Sequence, residues 1–297
     1  MRSGFVALAG RPNAGKSTLI NSLVKEKVAI VSDKPQTTRS EIRGILTTDE
    51  GQIVFTDTPG IHKPKYRLGA RMNQEAGDVM MGVDLIYLVV DGTVPFSSGD
   101  EYVLQMVKNT GLPVFLILNK CDRMEKEGIM ANLQSWQKRF DFAEYFPLSA
   151  LKQRRYEDLI KTTLKYLPEG DLLYPADMIS DGAENFRIAE IIREKVLLCT
   201  EQEVPHATGV IVENKEFNKG AAHIQAMIVV EKDGQKSIII GKQGSMIRRI
   251  GTLARKDIEK LLGRSVYLEL FVRVEDEWRM KDARISELGY GGAFRES

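Results

Sequence analysis

The sequence of 297 residues contains few of the residues that build disulfide frameworks or transition-metal sites. It has two cysteines, Cys121 and Cys199, and three histidines, His62, His206 and His223. None of them occurs in a Cys-x-x-Cys or paired Cys/His spacing. A disulfide scaffold and a transition-metal centre are therefore excluded as organising features, and the cysteine usage favours a reducing compartment such as the cytosol.

Long apolar runs, an export leader and a strong net charge are also missing. No run approaches the roughly 20 apolar residues of a membrane helix, and residues 1–9 lack the ordered regions of a signal peptide. We therefore predict no transmembrane segment, no export and a cytoplasmic location, with peripheral association at the inner face of the cell membrane as an alternative. The net charge of +1 does not by itself indicate what the protein binds.

The length of the chain predicts two domains. Short β-branched strands alternate with amphipathic helices through residue 167, which predicts an α/β domain with a parallel-rich central sheet over residues 1–167. The predicted strands are residues 5–9, 53–56, 85–90, 114–118 and 145–148. Residues 168–184 are rich in proline and glycine and lack periodicity, so we predict a linker there.

A smaller α+β domain is predicted over residues 185–297. The patterns indicate a helix near 186–200, strands near 208–212 and 224–231, and a turn at 232–234. A long helix at 245–262, a strand at 265–274, a last helix at 278–288 and a tail complete the chain. Three consecutive isoleucines favour, taken alone, a strand over 235–240.

A phosphate-binding loop is predicted at residues 10–17, which read Gly-Arg-Pro-Asn-Ala-Gly-Lys-Ser between an apolar strand and a helix. Such a loop turns backbone N–H groups toward phosphate oxygens at a helix N-terminus. Lys16 is expected to bridge the β- and γ-phosphates and Ser17 to ligate magnesium. The predicted contacts of this segment are Gly10, Asn13, Ala14, Gly15, Lys16, Ser17 and Thr18.

Two further segments are expected at the metal and the γ-phosphate. Asp57-Thr58-Pro59-Gly60 follows a buried strand 41 residues after Lys16, which places the Asp57 carboxylate just beyond the direct magnesium ligands and the Gly60 N–H near the γ-phosphate. In residues 35–39, Pro-Gln-Thr-Thr-Arg, a threonine hydroxyl would complete the magnesium site. Chemistry alone does not choose between Thr37 and Thr38.

The base is expected to be guanine. Asn119, Lys120 and Asp122 follow a buried strand, and a carboxylate at Asp122 accepts two N–H bonds from the guanine edge that adenine does not offer. Ser149 and Ala150 would add backbone N–H groups toward the guanine carbonyl. The predicted ligands are GTP and GDP.

A Gly-x-x-Gly loop precedes the long helix of the second domain. Eight basic residues and two acidic residues lie within 236–264, and KH domains use such a loop to clamp about four nucleotides of single-stranded nucleic acid. The predicted RNA-binding residues are Gly241, Lys242, Gln243, Gly244, Arg248 and Arg249.

Together these motifs resemble the bacterial Era family, in which a P-loop GTPase domain precedes a type II KH domain. The resemblance covers essentially the whole chain. It implies binding at the 3′ end of small-subunit ribosomal RNA and a role in assembly of the small ribosomal subunit. The residues themselves predict slow intrinsic GTP hydrolysis, because Ile61 after Gly60 cannot orient water by hydrogen bonding. The resemblance also favours Thr38 over Thr37, so that Lys16, Thr38 and Gly60 are the residues expected to act in hydrolysis.

Three further expectations come from the resemblance. Ile61 stands where many GTPases have a water-orienting glutamine. Relatives with an asparagine at the position of Asn13 use it to hold potassium beside the phosphates. The residues before the Gly-x-x-Gly loop, 235–240, form a short helix in type II KH domains, against the strand that the isoleucine run favours.

A second interpretation stays open from the sequence. In it, the chain is a GTPase that acts on membrane or cell-cycle partners, and the C-terminal domain is a protein-interaction module. Retention of RNA by the C-terminal domain would distinguish the two.

Overall fold

A computed structural model describes residues 1–34, 37–64, 66–152, 156–218 and 220–290. Pro35 and Gln36 of the predicted threonine loop, and the predicted tail over 291–297, lie outside the described residues. The chain forms two compact units, the first holding nearly all described residues up to Asp181 and the second those from Gly182 onward. Among the described residues, no helix is both long enough and apolar enough to cross a membrane.

The first unit is built on a six-stranded sheet in the order β2-β3-β1-β4-β5-β6. Its strands are β1 (Arg2–Ala9), β2 (Ile42–Thr48), β3 (Gly51–Asp57), β4 (Leu85–Asp91), β5 (Val114–Asn119) and β6 (Glu144–Pro147). All neighbours pair in parallel except β2 and β3. The predicted parallel-rich sheet is thus confirmed, and β2 is an antiparallel edge strand that sequence patterning missed.

The described part of the first unit also contains the α-helices α1 (Lys16–Val24), α2 (Arg67–Met81), α3 (Ser98–Lys108), α4 (Lys126–Gln137) and α5 (Tyr156–Tyr166). Strands β1, β4 and β5 are almost continuously apolar because helices cover both faces of a parallel sheet. The loops that follow the carboxyl ends of these strands meet at one edge of the sheet, where α/β folds bind their ligands.

Residues 168–181, which fall in the predicted linker, are fixed along the first unit. The buried side chain of Gln52 accepts the N–H groups of Leu173 and Tyr174, both at 2.9 Å, and donates to the Tyr174 carbonyl at 3.0 Å. Ile45 N–H donates to the Ile179 carbonyl at 2.8 Å. This segment therefore continues the first unit as far as Asp181.

The second unit has a three-stranded sheet in the order β7-β8-β9, formed by β7 (Gly209–Asn218), β8 (Ala221–Val230) and β9 (Ser265–Val274). Strand β8 pairs antiparallel with β7 and parallel with β9. Its helices are α6 (Glu184–Cys199), α7 (Val204–Ala207), α8 (Asp233–Ile240), α9 (Ser245–Leu262) and α10 (Asp282–Glu287). Helices α6 and α9 pack on one face of the sheet through Ile192, Ile250 and Ile258.

Two local predictions for the second unit were wrong. Residues 232–234 do not form a free turn: α8 begins at Asp233, because the Gln235 side chain accepts the N–H groups of Glu231 and Lys232 at 2.9 and 3.1 Å. The predicted helix over 278–288 is interrupted, since Lys281 has an extended conformation between a 3₁₀ turn and α10. The helix expected over 235–240 from the family resemblance is confirmed.

Candidate nucleotide site and Gly-x-x-Gly loop

The loop between β1 and α1 has the backbone of a phosphate cradle. Gly15 has a φ of 99°, and a Cβ there would lie 2.2 Å from Nδ2 of Asn119, so only glycine fits. The Lys16 ammonium lies over the loop and donates to the carbonyls of Gly10 and Arg11 at 3.3 and 3.4 Å. Burial lowers the pKa of Lys16, so its charged form gains stability from an anion in the loop.

Two hydroxyl groups and one carboxylate lie within hydrogen-bond distance of one another beside this loop. Ser17 Oγ lies 2.9 Å from Thr38 Oγ1 and donates to Asp57 Oδ2 at 2.6 Å, and Thr38 Oγ1 donates to the same carboxylate oxygen at 3.1 Å. Asp57 is fully buried at the end of β3, and its Oδ1 has no hydrogen-bond partner among the described residues. Burial raises the pKa of the Asp57 carboxyl. A buried carboxylate with one oxygen left without a partner among the described residues suits a cation.

The turn after Asp57 is fixed against β1. Thr58 Oγ1 donates to the Leu8 carbonyl at 2.7 Å, and a Cβ on Gly60 would lie 2.8 Å from Cα of Pro12. Gly60 therefore lies directly against the phosphate loop. The side chain of Ile61 is fully buried in the core of the first unit, so it has neither the chemistry nor the position to orient water.

Asn119 joins three segments of the candidate base site. Its Nδ2 donates to the Ala14 carbonyl at 2.8 Å, and its Oδ1 accepts the N–H groups of Lys120 at 2.8 Å and Ala150 at 2.9 Å. The residue is buried at the end of β5. Its side-chain amide therefore fixes the phosphate loop and the 149–150 segment relative to each other.

The Asp122 carboxylate is exposed beside this amide, in a 3₁₀ turn over Cys121–Arg123. A hydrogen bond from Ser149 holds its pKa below the usual value, so it is ionised and accepts hydrogen bonds near neutral pH. The Lys120 ammonium is held by Asp91 Oδ2 at 2.5 Å. The predicted base-binding residues are thus joined by hydrogen bonds, Asn119 to Lys120 and Ala150, and Ser149 to Asp122. The Cys121 thiol donates to the Leu118 carbonyl.

The Gly-x-x-Gly loop joins α8 to α9 as a 3₁₀ turn over Lys242–Gly244. Gly241 has a φ of 71°, and a Cβ there would lie 2.7 Å from Cβ of Met246, so the loop requires glycine at this position. Gly244 has a φ of 76° and precedes the first turn of α9. The side chains of Lys242, Gln243, Arg248 and Arg249 are all exposed there.

One residue beside the nucleotide site was missed from the sequence. Glu75 of α2 is only 7% exposed, and its Oε1 accepts the N–H of Glu41 at 2.8 Å, which holds the segment that carries Thr38. Burial is the main cause that raises its pKa to about 7. A glutamate on an amphipathic helix carries no sequence signal for burial, so patterning could not have found it.

Comparison with known proteins agrees with this geometry. Residues 5–120 match the family described as 50S ribosome-binding GTPase, and residues 203–279 match the KH domain family. The chain is 48% identical over 291 residues to a GTPase Era of Clostridium kluyveri, which covers 98% of this chain and 99% of that protein. The chain belongs to the Era GTPase family. Its activity is GTP hydrolysis, as the phosphate loop and the base-binding segment predicted.

Two solved Era structures share the fold along the whole chain. An Era variant of Aquifex aeolicus bound to GDP and aluminium fluoride superposes with a TM-score of 0.94 at 38% identity, covering 98% of this chain and 99% of that one. A second Era structure, in complex with MgGDPNP and nucleotides 1506–1542 of 16S ribosomal RNA, gives 0.95 at 38% identity with the same coverage. The predicted family and fold class are therefore confirmed.

Proposed function

We propose that this Era GTPase binds single-stranded RNA at the 3′ end of small-subunit ribosomal RNA through its Gly-x-x-Gly loop, and assists assembly of the small subunit. The observation that carries the proposal is the construction of that loop, with two glycines at positive φ before a helix whose first turns are basic. We also propose a cytoplasmic location, because the ribosomal RNA that the protein would bind is in that compartment. The Era complex with a 16S ribosomal RNA segment supports the choice of partner.

Magnesium is the metal that fits the first unit. Ser17, Thr38 and Asp57 offer hydroxyl and carboxylate oxygens, the ligands that Mg²⁺ takes, and the buried Asp57 Oδ1 has no partner among the described residues. When bound, magnesium would neutralise charge on the β- and γ-phosphates. We assign Ser17 and Thr38 as direct ligands and Asp57 as the carboxylate just beyond them. Thr38, the threonine that the family resemblance favours, donates to Asp57 Oδ2 at 3.1 Å.

Hydrolysis by this chain proceeds without a water-orienting glutamine. We assign Lys16 to the β- and γ-phosphates, the Gly60 N–H to the γ-phosphate, and Thr38 to the state in which that phosphate is present. Because Ile61 is buried in the core and cannot orient water, acceleration of hydrolysis must come from another residue, an ion or a partner. We propose potassium held in part by Asn13, whose exposed side chain lies in the phosphate loop.

Guanine is selected by Asp122. Its ionised and exposed carboxylate accepts the two N–H groups of the guanine edge. The Asn119 amide donates to the Ala14 carbonyl and accepts the Ala150 N–H. We assign Ser149 and Ala150 to the side of the site where the guanine carbonyl would lie. The remaining nucleotide contacts are Gly10, Asn13, Gly15, Thr18 and Lys120.

The proposal is tested with the variant Gly244→Asp in the full chain. A carboxylate there repels phosphates, while a Cβ meets no atom closer than Ile247 Cγ2 at 4.0 Å, and aspartate tolerates the left-handed backbone better than most residues. Gly244→Asn is the matched control, because it has the same shape and backbone tolerance without the charge. Gly241 is unsuitable, since any Cβ clashes with Met246.

The measurement is titration of a labelled single-stranded RNA from the small-subunit 3′ end. We expect Gly244→Asp to lose most of the affinity, Gly244→Asn to lose less, and basal GTP hydrolysis to be unchanged in both. Lys242→Ala is expected to lower the log–log salt slope by about 0.7, the value for one phosphate contact on a single strand. RNA affinity of Gly244→Asp equal to that of the parent would contradict the RNA role and favour a protein-interaction module.

A further inference from the structure

An exposed phenylalanine lies in the second unit far from the Gly-x-x-Gly loop. Phe217 is 52% exposed near the end of β7 and pairs with Ala222, on the sheet face that α6 and α9 cover. Two cations flank its ring: Arg264 Cζ lies 4.8 Å and Lys215 Nζ 5.4 Å from the ring centroid. Lys215 is held in place by an ion pair with Glu184. A half-exposed aromatic ring is thus in contact with two positive charges.

A row of basic residues leads from the loop to this ring. Arg249, Lys256 and Lys260 are exposed and lie within about 40° of one another around the axis of α9. Among the described residues, none of the three has an ion-pair partner. Helix α9 has 18 residues, a length of about 27 Å, and Arg264 follows its C-terminal end. Positive charge therefore continues from Arg249 to the cations beside Phe217.

This combination is what single-stranded nucleic acid requires, namely basic groups for the phosphates and an exposed ring for a base. We propose that Phe217 is a base-stacking site for the RNA strand held by the Gly-x-x-Gly loop, with Arg249, Lys256, Lys260 and Arg264 along its phosphates. The site rests on the RNA role proposed above and extends it beyond the nucleotides that the loop clamps. Stacking on an aromatic ring does not depend on which base is present. This contact is therefore expected to raise the affinity for longer RNA strands more than the affinity for a particular base sequence.

The experiment compares two labelled RNAs from the small-subunit 3′ end on the full-length protein. One has about four nucleotides, the length that a KH loop clamps, and the other about twelve. Phe217→Ala is expected to weaken binding of the longer RNA by about 5- to 150-fold and to leave the shorter unchanged. Phe217→Trp should retain the longer RNA. Arg264→Gln should weaken it and lower its salt slope by about 0.7.

Tyr267→Ala is the matched control. Tyr267 is 56% exposed, but it pairs with His223 on the opposite face of the sheet, so its loss should change neither affinity. The inference is overturned if Phe217→Ala binds the longer RNA like the parent, or if it weakens both RNAs equally. Gly244→Asp distinguishes failure of this inference from failure of the proposed function. If Gly244→Asp binds the short RNA as tightly as the parent does, the proposed RNA role is wrong, whatever the result for Phe217→Ala.

Discussion

Glu75 makes the stability of the first unit depend on pH, and Glu75→Gln should remove that dependence. The carboxyl is 7% exposed, Oε1 accepts the N–H of Glu41, and Oε2 is buried without a partner among the described residues. Its pKa is raised from 4.5 to about 7, mainly by burial and also by the charges of Glu41 and Asp78, against the lowering effects of the Glu41 N–H bond and of Arg71. Glutamine keeps an oxygen for the Glu41 N–H and cannot ionise.

The sign follows from the two pKa values. Between about pH 4.5 and 7 the folded chain keeps the proton that the unfolded chain releases, so stability falls as the pH rises. The difference between 4.5 and about 7, at about 1.4 kcal/mol for each pH unit, corresponds to a loss of about 3 kcal/mol. The loss is complete above pH 7, where both states are ionised.

Urea unfolding of the parent and of Glu75→Gln, from pH 5 to pH 8, measures this effect. From pH 5 to pH 8 the parent should lose about 2.5 kcal/mol of unfolding free energy relative to the variant, since part of the loss already occurs below pH 5. Glu201→Gln, at an exposed position, is the control and should follow the parent. Parallel curves for Glu75→Gln and the parent would show that Glu75 is already ionised in the folded chain, and would refute the reasoning.

Two further predictions concern hydrolysis and the attached segment. GTP hydrolysis in potassium should exceed that in sodium, and Asn13→Ala should erase the difference; equal rates of the parent in both salts would reject the potassium assignment. Gln52→Ala removes the hydrogen bonds to Leu173 and Tyr174, so the free energy of unfolding measured in urea should fall by about 2 to 4 kcal/mol. The control is Gln105→Ala at an exposed position, which should change that free energy by less than about 0.5 kcal/mol. A Gln52→Ala loss as small as that of Gln105→Ala would show that the segment is held by other contacts.

Local chemistry explains why a candidate nucleotide site could be predicted from the sequence. The phosphate loop, the Asp57 turn and the Asn119 segment each follow an apolar strand, and parallel strands bring their carboxyl ends together. The structure places Ser17, Thr38 and Asp57 within hydrogen-bond distance of one another, as the motif order required. The long helix α9 was predicted with its observed bounds because its apolar period is regular over 18 residues.

What was missed depends on packing between distant segments. Strand β2 has no regular alternation and contains Gly44, and it forms because β3 and residues 168–181 pair with it. Glu75 is buried on α2, where it accepts the N–H of Glu41, a residue 34 positions earlier in the sequence. The last predicted helix is shorter because Trp278 is buried and donates to the Ala207 carbonyl at 2.8 Å, a contact across 71 residues of sequence. Patterning in one window reports none of these partners.

Guanine selection by Asp122 is the claim on which the account depends most, and nucleotide binding by Asp122→Asn tests it directly. Asparagine places an N–H donor where guanine also donates, so GTP affinity should fall by at least about 100-fold, from the loss of two charge-assisted bonds. Xanthosine triphosphate, which has a carbonyl at that ring position, should bind instead. The carboxylate is exposed, so the urea midpoint should stay that of the parent. Unchanged GTP affinity in Asp122→Asn, with no gain for xanthosine triphosphate, would contradict the account.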